Sequence, residues 1–237
     1  MFLLSPFVVG SEVRSVPAVP DRGANSVCPA GYVGLTFDDG PTMATTLEIV
    51  AALKTRGARA TFFTIGALAQ RYPNLVRRSL AADMEIGNHT YDHPFMDEVV
   101  APGPRNELVS TSNILKDLAG STPHLYRAPY GRTNALVDAE AKALGMTEVL
   151  WTYDTYDYAG ASTEQIRATA RKARDGDIIL MHDGYQSTVN AIPGILDDLA
   201  ARGMCSGRIV RSTLPKQAWV EYKGDDHTFY NATATRW

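Results

Sequence analysis

Tyr32-Val33-Gly34-Leu35-Thr36-Phe37-Asp38-Asp39-Gly40-Pro41 is the stretch from which the fold is read. Its first six residues form a mostly apolar run suited to a buried strand, and Gly40-Pro41 is a turn signal. Asp38 and Asp39 therefore stand at the C-terminal end of a strand, where alternation points neighbours to opposite sides. Two adjacent carboxylates repel. Taken alone, the pair reads equally well as a solvated turn or as part of a site completed by a cation or a cationic side chain.

Outward from this stretch, strand-like and helix-like patterns alternate. Thr45-Thr46-Leu47-Glu48 fits a capping box, opening a helix with Leu47, Val50, Ala51 and Leu53 on its apolar face and a stop at Gly57. A strand at 60–65, rich in aromatic and β-branched residues, precedes a helix around 74–82. A short strand at 84–89 ends on His89, and a helix over 105–119 is closed by Gly120. Next come a strand at 124–127, a helix over 134–144, a strand at 147–153 and a helix from 162 to 174. A strand at 177–182, a helix over 188–201 and a strand at 207–210 complete the series. The alternation predicts an α/β fold with a parallel sheet under covering helices, either open or closed into a barrel. Residues 1–27 read as an N-terminal arm or linker, 28–213 as the domain that carries the alternation, and 214–237 as a tail of no assignable structure.

At 237 residues, 45% hydrophobic and 21% charged, the chain has the composition of an ordinary globule with a sizeable core. A net charge of −3 with no Lys/Arg cluster gives nucleic-acid binding no electrostatic support. No apolar run approaches the roughly 18 residues of a membrane span. Residues 1–10 are apolar but lack a basic leading segment and contain Pro6, so they make a poor signal peptide as they stand. The chain reads as a mature or trimmed form of a secreted protein, and as a monomer. Barrel closure would bring Cys28 and Cys205 together, and a disulfide between them is expected, implying an oxidising compartment. Asn88-His89-Thr90 and Asn231-Ala232-Thr233 match the glycosylation pattern, a pattern short enough to recur by chance.

One regularity outweighs the element count. Asp38, Asp39, His89, Arg127, Asp157 and His182 all fall at or just after the C-terminal ends of predicted strands. In a parallel barrel those ends share one face, where active sites sit. His89 and His93, four apart, can bind one cation from one side of a turn, and Pro94 disfavours helical geometry at His93. Read blandly, they are two surface histidines. Asp39 is the candidate third ligand, and a set of two histidines and one carboxylate leaves positions open for water and substrate. The zincin pattern needs Glu directly after the first histidine; Thr90 stands there. His182 is either a core histidine satisfied by a carbonyl or, with Asp183-Gly184 leaving the core behind it, a general acid. Arg127 is either a surface ion-pair partner or the guanidinium that orients Asp38. Asp154 and Asp157 are each a turn carboxylate or the group that orients His182.

Five separated patterns resemble the polysaccharide deacetylase family, also known as the NodB-homology or carbohydrate esterase family four domain. They are Thr36-Phe37-Asp38-Asp39-Gly40, His89-Thr90-Tyr91-Asp92-His93, Arg127-Ala128-Pro129-Tyr130-Gly131, Asp154-Thr155-Tyr156-Asp157-Tyr158 and Leu180-Met181-His182, in the family's order. The resemblance implies a distorted (β/α) barrel and hydrolytic removal of N- or O-linked acetyl groups from sugars with one divalent metal, usually zinc, cobalt or nickel. By position it implies Asp38 as catalytic base, Asp39, His89 and His93 as metal ligands, and Arg127 as tether of the base. It likewise implies the Tyr130 backbone N–H as oxyanion donor, Asp157 as tuner of the acid His182, and Leu180 beside the acetyl methyl. Tyr158 departs from the pattern, which usually has Trp there; the wall of the acetyl pocket keeps a flat ring but gains a hydroxyl. The segments around Cys28 and Met204-Cys205 look most like secreted actinobacterial acetylxylan esterases and chitin-oligosaccharide deacetylases, which also supports the bridge. The rival readings are a barrel glycosidase using Asp38 with Asp154 or Asp157, a carbohydrate-binding relative without activity, and a relative acting on C–N bonds of small cyclic amides. Tyr72, Tyr91, Tyr130, Tyr156, Tyr158 and Tyr185 are the candidate groove aromatics.

Overall fold

The computed structural model describes residues 28–211, 217–222 and 226–231, with side chains through residue 209. The expected arm at 1–27 lies outside the described residues, as do 212–216, 223–225 and 232–237 of the tail region. In chain order the elements are β1 (Gly31–Gly40), α1 (Thr46–Lys54), β2 (Thr61–Thr64), α2 (Gly66–Arg71), α3 (Pro73–Ala81), β3 (Glu85–Asn88), α4 (Gly103–Ala119), β4 (Leu125–Tyr126) and α5 (Ala135–Ala143). They continue with β5 (Thr147–Glu148), β6 (Tyr153–Asp154), α6 (Thr163–Ala170), β7 (Ile178–His182), α7 (Gln186–Ala201), β8 (Met204–Arg211), β9 (Gln217–Tyr222) and β10 (Asp226–Asn231).

β1 is the hub of the sheet. One edge takes β7 in parallel register, from Gly34 opposite Ile178 to Asp38 opposite His182. The other edge is divided: Gly31–Gly34 pair with β8, and from Thr36 onward the partner is β2. The parallel series β5-β4-β3-β2-β1-β7-β6 forms a curled half-barrel of seven strands, the distorted (β/α) barrel that the alternation and the resemblance imply. β9 and β10 extend the sheet antiparallel from β8, an arrangement of the tail that no periodicity announced.

β1 is buried almost throughout because both of its faces are covered. Val33, Leu35 and Phe37 pack outward with Ile49, Leu53, Ile192 and Leu199 of the covering helices. Inside the curl, Phe63, Leu125, Val149, Ile178 and Ile209 form a smaller cluster closed by Trp151. Cys28 and Cys205 are joined by a disulfide, their Cα atoms 5.6 Å apart, next to the register pair Tyr32–Cys205. Among the described residues no helix is long and apolar enough to cross a membrane.

The structure corrects several expectations. The strand expected at 147–153 is two strands: Thr147 and Glu148 pair with β4, whereas Tyr153 and Asp154 pair with β7 at the opposite end of the sheet. Residues 149–152 bridge the seam between these two ends. The Thr45–Glu48 capping box does not form; Thr45 makes no side-chain cap, and its hydroxyl goes to Asp183 at 2.5 Å. α2 was not anticipated, since its N-cap is Ile65 and its first residue Gly66, neither a start signal. α6 ends at Ala170, short of 174. Asn88 is fully buried and donates to the Leu108 carbonyl (2.8 Å) and the Ser112 hydroxyl (3.0 Å), so the first glycosylation pattern is inaccessible. The side chain of the second lies outside the described ones.

Candidate active site

At the C-terminal mouth of the half-barrel, the ends of β1 and β3 meet the loop 89–93. His89 Nε2 and His93 Nε2 lie 3.3 and 3.0 Å from Asp39 Oδ1. Bonds of about 2.0 Å at tetrahedral angles separate ligand atoms by roughly 3.3 Å, so these spacings suit one divalent ion. Asp39 Oδ1 is shielded from solvent and receives no well-aligned hydrogen bond, leaving a buried anionic oxygen for a cation to satisfy. The Arg127 carbonyl, 2.8 Å from His89 Nδ1, can only accept, so that nitrogen carries the proton and the Nε2 lone pair faces Asp39. The trio Asp39, His89 and His93 is thus a fit site for a metal.

The expectation that Asp38 and Asp39 face opposite sides fails. Asp39 has φ 68°, a left-handed value that breaks strand alternation. Both carboxylates consequently approach one imidazole, His89 Nε2 being 3.7 Å from Asp38 Oδ2 as well. Asp38 keeps its inward direction, and its Oδ1 accepts from Arg127 Nη1 at 2.7 Å. Arg127 is no surface ion-pair partner: it is fully buried. Its remaining donors reach the Thr36 hydroxyl (2.8 Å) and the Val149 (2.9 Å) and Leu150 (3.1 Å) carbonyls, and its guanidinium lies 4.1 Å from the centre of the Phe63 ring. Those carbonyls belong to the seam segment, so one guanidinium both holds Asp38 and fastens the broken strand.

β7 carries His182 beside Asp38. Of the two carboxylates proposed to orient it, Asp157 is the one in contact with it. Its Oδ1 lies 2.7 Å from His182 Nδ1, and its Oδ2 accepts from the His182 N–H (2.7 Å) and the Thr188 hydroxyl (2.6 Å). Asp154 turns away and accepts from the Tyr156 N–H (2.8 Å) and the Tyr158 hydroxyl (3.2 Å). Burial pulls the His182 imidazole down, but the Asp157 hydrogen bond and the charges of Asp38, Asp157 and Asp39 raise it above its ordinary value. Asp157 is lowered, the His182 bond outweighing burial. Asp157 is thus saturated by acceptor bonds, and Asp154 is engaged by Tyr156 and Tyr158, so neither stands free as a second carboxylate for Asp38.

Two aromatic banks flank these groups. On the metal side the Tyr130 ring is 4.7 Å from His93 and 4.4 Å from Phe95. On the other, the rings of Tyr158 and Tyr185 stand edge-on to His182 at 5.0 and 6.3 Å, with Tyr156 beside Tyr158. Burial and Asp154 push the Tyr158 phenol up to about 12. Leu180 is buried in the strand position opposite Thr36. Of the remaining groove candidates, Tyr91 bonds Gln70 at 2.7 Å, and Tyr72 lies at the α2–α3 junction under Arg71. Sequence reasoning missed Thr36, Asn88, Glu107, Trp151, Asp183 and Thr188. Each acts on a partner remote in sequence or through backbone, and only Asn88 and Asp183, adjoining His89 and His182, carried any local signal.

A family model for polysaccharide deacetylases matches residues 26–149, over half of the chain. The chain belongs to the polysaccharide deacetylase family. Among solved polysaccharide deacetylase structures, a family 4 carbohydrate esterase from Streptomyces lividans in complex with acetate is 42% identical, with a TM-score of 0.73, over 75% of this chain and 92% of that one. A bifunctional xylanase/xylan deacetylase of Cellvibrio japonicus is 36% identical over 78% of this chain and 28% of the relative. A peptidoglycan N-acetylglucosamine deacetylase of Listeria monocytogenes is 33% identical over 79% of this chain and 39% of the relative. The chain thus spans well under half the length of these two curated polysaccharide deacetylases.

Proposed function

We propose that the protein is a metal-dependent hydrolase that removes acetyl groups from carbohydrate polymers or oligomers, N-acetyl of chitin-type sugars or O-acetyl of xylan. The carrying observation is that Asp38, bound to Arg127, and His182, bound to Asp157, stand side by side in register at the mouth that also holds Asp39, His89 and His93. Zinc is the proposed ion, with cobalt or nickel as substitutes for the same donors. Bound there, it would polarise an acetyl carbonyl and lower the pKa of a water. Asp38, oriented through Oδ1, would take the proton of the attacking water on Oδ2. The Tyr130 backbone N–H would donate to the developing oxyanion, a type of contact worth about 3–4 kcal/mol. His182, whose Nδ1 is engaged by Asp157, would protonate the leaving nitrogen or oxygen from Nε2. Leu180 and the Tyr158 ring would wall the acetyl methyl. The disulfide supports a secreted location.

The test is acetate release from acetylxylan, chitin oligomers and peptidoglycan, with and without chelator. Release that a chelator abolishes and zinc restores is expected. Asp38→Asn should retain its metal and lose nearly all turnover. Binding without acetate release by the metal-replete protein would replace this reading with that of an inactive binding relative; reducing ends without acetate would favour a glycosidase.

A further inference from the structure

The loop that carries His93 is held in a shape it would not adopt unaided. Thr90 has φ 65° and His93 φ 59°, left-handed values that residues with a Cβ keep only where their surroundings enforce them. Several restraints are visible. Asn88 Oδ1 accepts the Thr90 N–H at 2.8 Å, and the first turn of α2 donates from Gly66 and Ala67 to the Thr90 and Tyr91 carbonyls at 2.8 and 3.1 Å. The successive N–H groups of Tyr91 and Asp92 converge on a single carboxylate oxygen, Glu107 Oε2, at 2.7 and 2.9 Å. Consecutive amides aimed at one point make a small anion-binding nest. Glu107 lies early in α4, and the neighbouring Leu108 carbonyl holds Asn88 at the other end of the loop. The packing leaves no slack: a Cβ on Gly66 would come within 2.4 Å of Thr111 Oγ1 and 2.9 Å of the Tyr91 ring.

We propose that Glu107 is a positioning residue for the cation site, clamping the backbone of Tyr91 and Asp92 so that His93 Nε2 faces Asp39; the inference rests on the metal reading of Asp39, His89 and His93. His89 follows directly on β3 and is secured by the Arg127 carbonyl, whereas His93 hangs one residue beyond the clamped amides. Loss of the clamp therefore acts on His93 first. The full chain, stripped of metal, is titrated with Zn²⁺ by calorimetry and with Co²⁺ by visible absorption. Wild type should bind one equivalent. Glu107→Ala should bind about 10–100-fold more weakly, as loss of outer-shell support typically does, and its Co²⁺ spectrum should move to that of His93→Ala. Glu107→Gln, which keeps an acceptor oxygen in place, should recover most of the affinity, and it carries the test if Glu107→Ala fails to fold. Wild-type affinity and spectrum in Glu107→Ala would overturn the inference. So would weakened binding with an unchanged spectrum, or a loss that Gln does not relieve. A folded wild type that binds no metal would instead overturn the metal reading, and the clamp's purpose with it.

Discussion

His182 and Asp157 form the pair whose behaviour with pH can be read from their surroundings. Burial works against the charged imidazole, yet the Asp157 hydrogen bond and the nearby carboxylates leave it raised. In the proposed mechanism the histidine acts protonated as a leaving-group acid, so activity should be present below its pKa and fall as pH rises through it. Asp157→Asn removes the leading favourable contact and should move the basic limb of the kcat profile to lower pH. Turnover on amides should drop by about 10²-fold, the low end of what a positioned acid contributes. Esters, whose alcohols leave more readily, should lose less; an unmoved basic limb would remove His182 from the acid role. The same pair stabilises the fold between two limits. Its contribution is complete below the unfolded histidine's pKa and fades as pH rises through the raised folded value. It is present above the unfolded carboxyl's pKa and fades as pH falls through the lowered folded value of Asp157. At this scale the sequence was highly legible, because His89, His93, His182 and the paired aspartates announce themselves by type and by place after a strand. Glu107 and Thr36 did not, since a carboxylate on a helix and a threonine in a strand look ordinary until their partners are located.

Among the elements, the junction of β1, α1 and β7 shows how a local rule yields to a distant partner. Thr45 and Glu48 have capping-box spacing, but the hydroxyls of Thr42, Thr45 and Thr46 instead converge on the buried Asp183 carboxylate. Asp183 also donates its N–H to the Asp38 carbonyl at 2.8 Å, tying the end of β7 to that of β1. Burial raises this carboxyl, the three hydroxyls opposing. Asp183→Ala would remove the acceptor those hydroxyls share and should cost about 2–4 kcal/mol in urea unfolding. Asp183→Asn, of the same shape and without the charge, should cost clearly less; equal losses would mean that the side chain's volume, not its oxygens, matters. Gly40 belongs to the same junction, since a Cβ there would meet Asp183 Oδ2 at 2.4 Å. Where the competing partner is absent, the local rule holds: Ser162 and Gln165 form the capping box of α6. The run at 147–153 was misread for a related reason. Its composition suits a strand throughout, and nothing in it marks the point where the sheet's two ends meet.

For the whole molecule, closure is shared between a covalent tie and the seam. The disulfide links the approach to β1 with β8 across 177 residues. A loop of that length limits the unfolded chain by about 5 kcal/mol in the entropic account, and removal of native bridges typically costs about 2–5 kcal/mol. A Cys28→Ser, Cys205→Ser double variant should therefore melt well below wild type while keeping its metal affinity, because the bridge lies at the N-terminal end of β1 and the site at the other. Coincident loss of both would show that the two ends of β1 are coupled. The α/β alternation and the shared rim were readable at this scale, as was the bridge once a barrel was assumed. The β9–β10 extension was not, because its strands carry no period distinct from a mixed polar tail.

The placement of β1 also bears on how the chain comes into being. It is the first strand synthesised among those described, and it finds β2 almost at once, but the partner for its other edge, β7, follows more than 140 residues later. Through most of translation that edge is an unpaired apolar ladder of the kind that recruits foreign strands. Pairings between such distant segments are slow to form, and the one with β7, followed only by those of β8 to β10, sets His182 beside Asp38. The nascent chain is thus longest exposed to misassembly at the very strand that later carries Asp38 and Asp39.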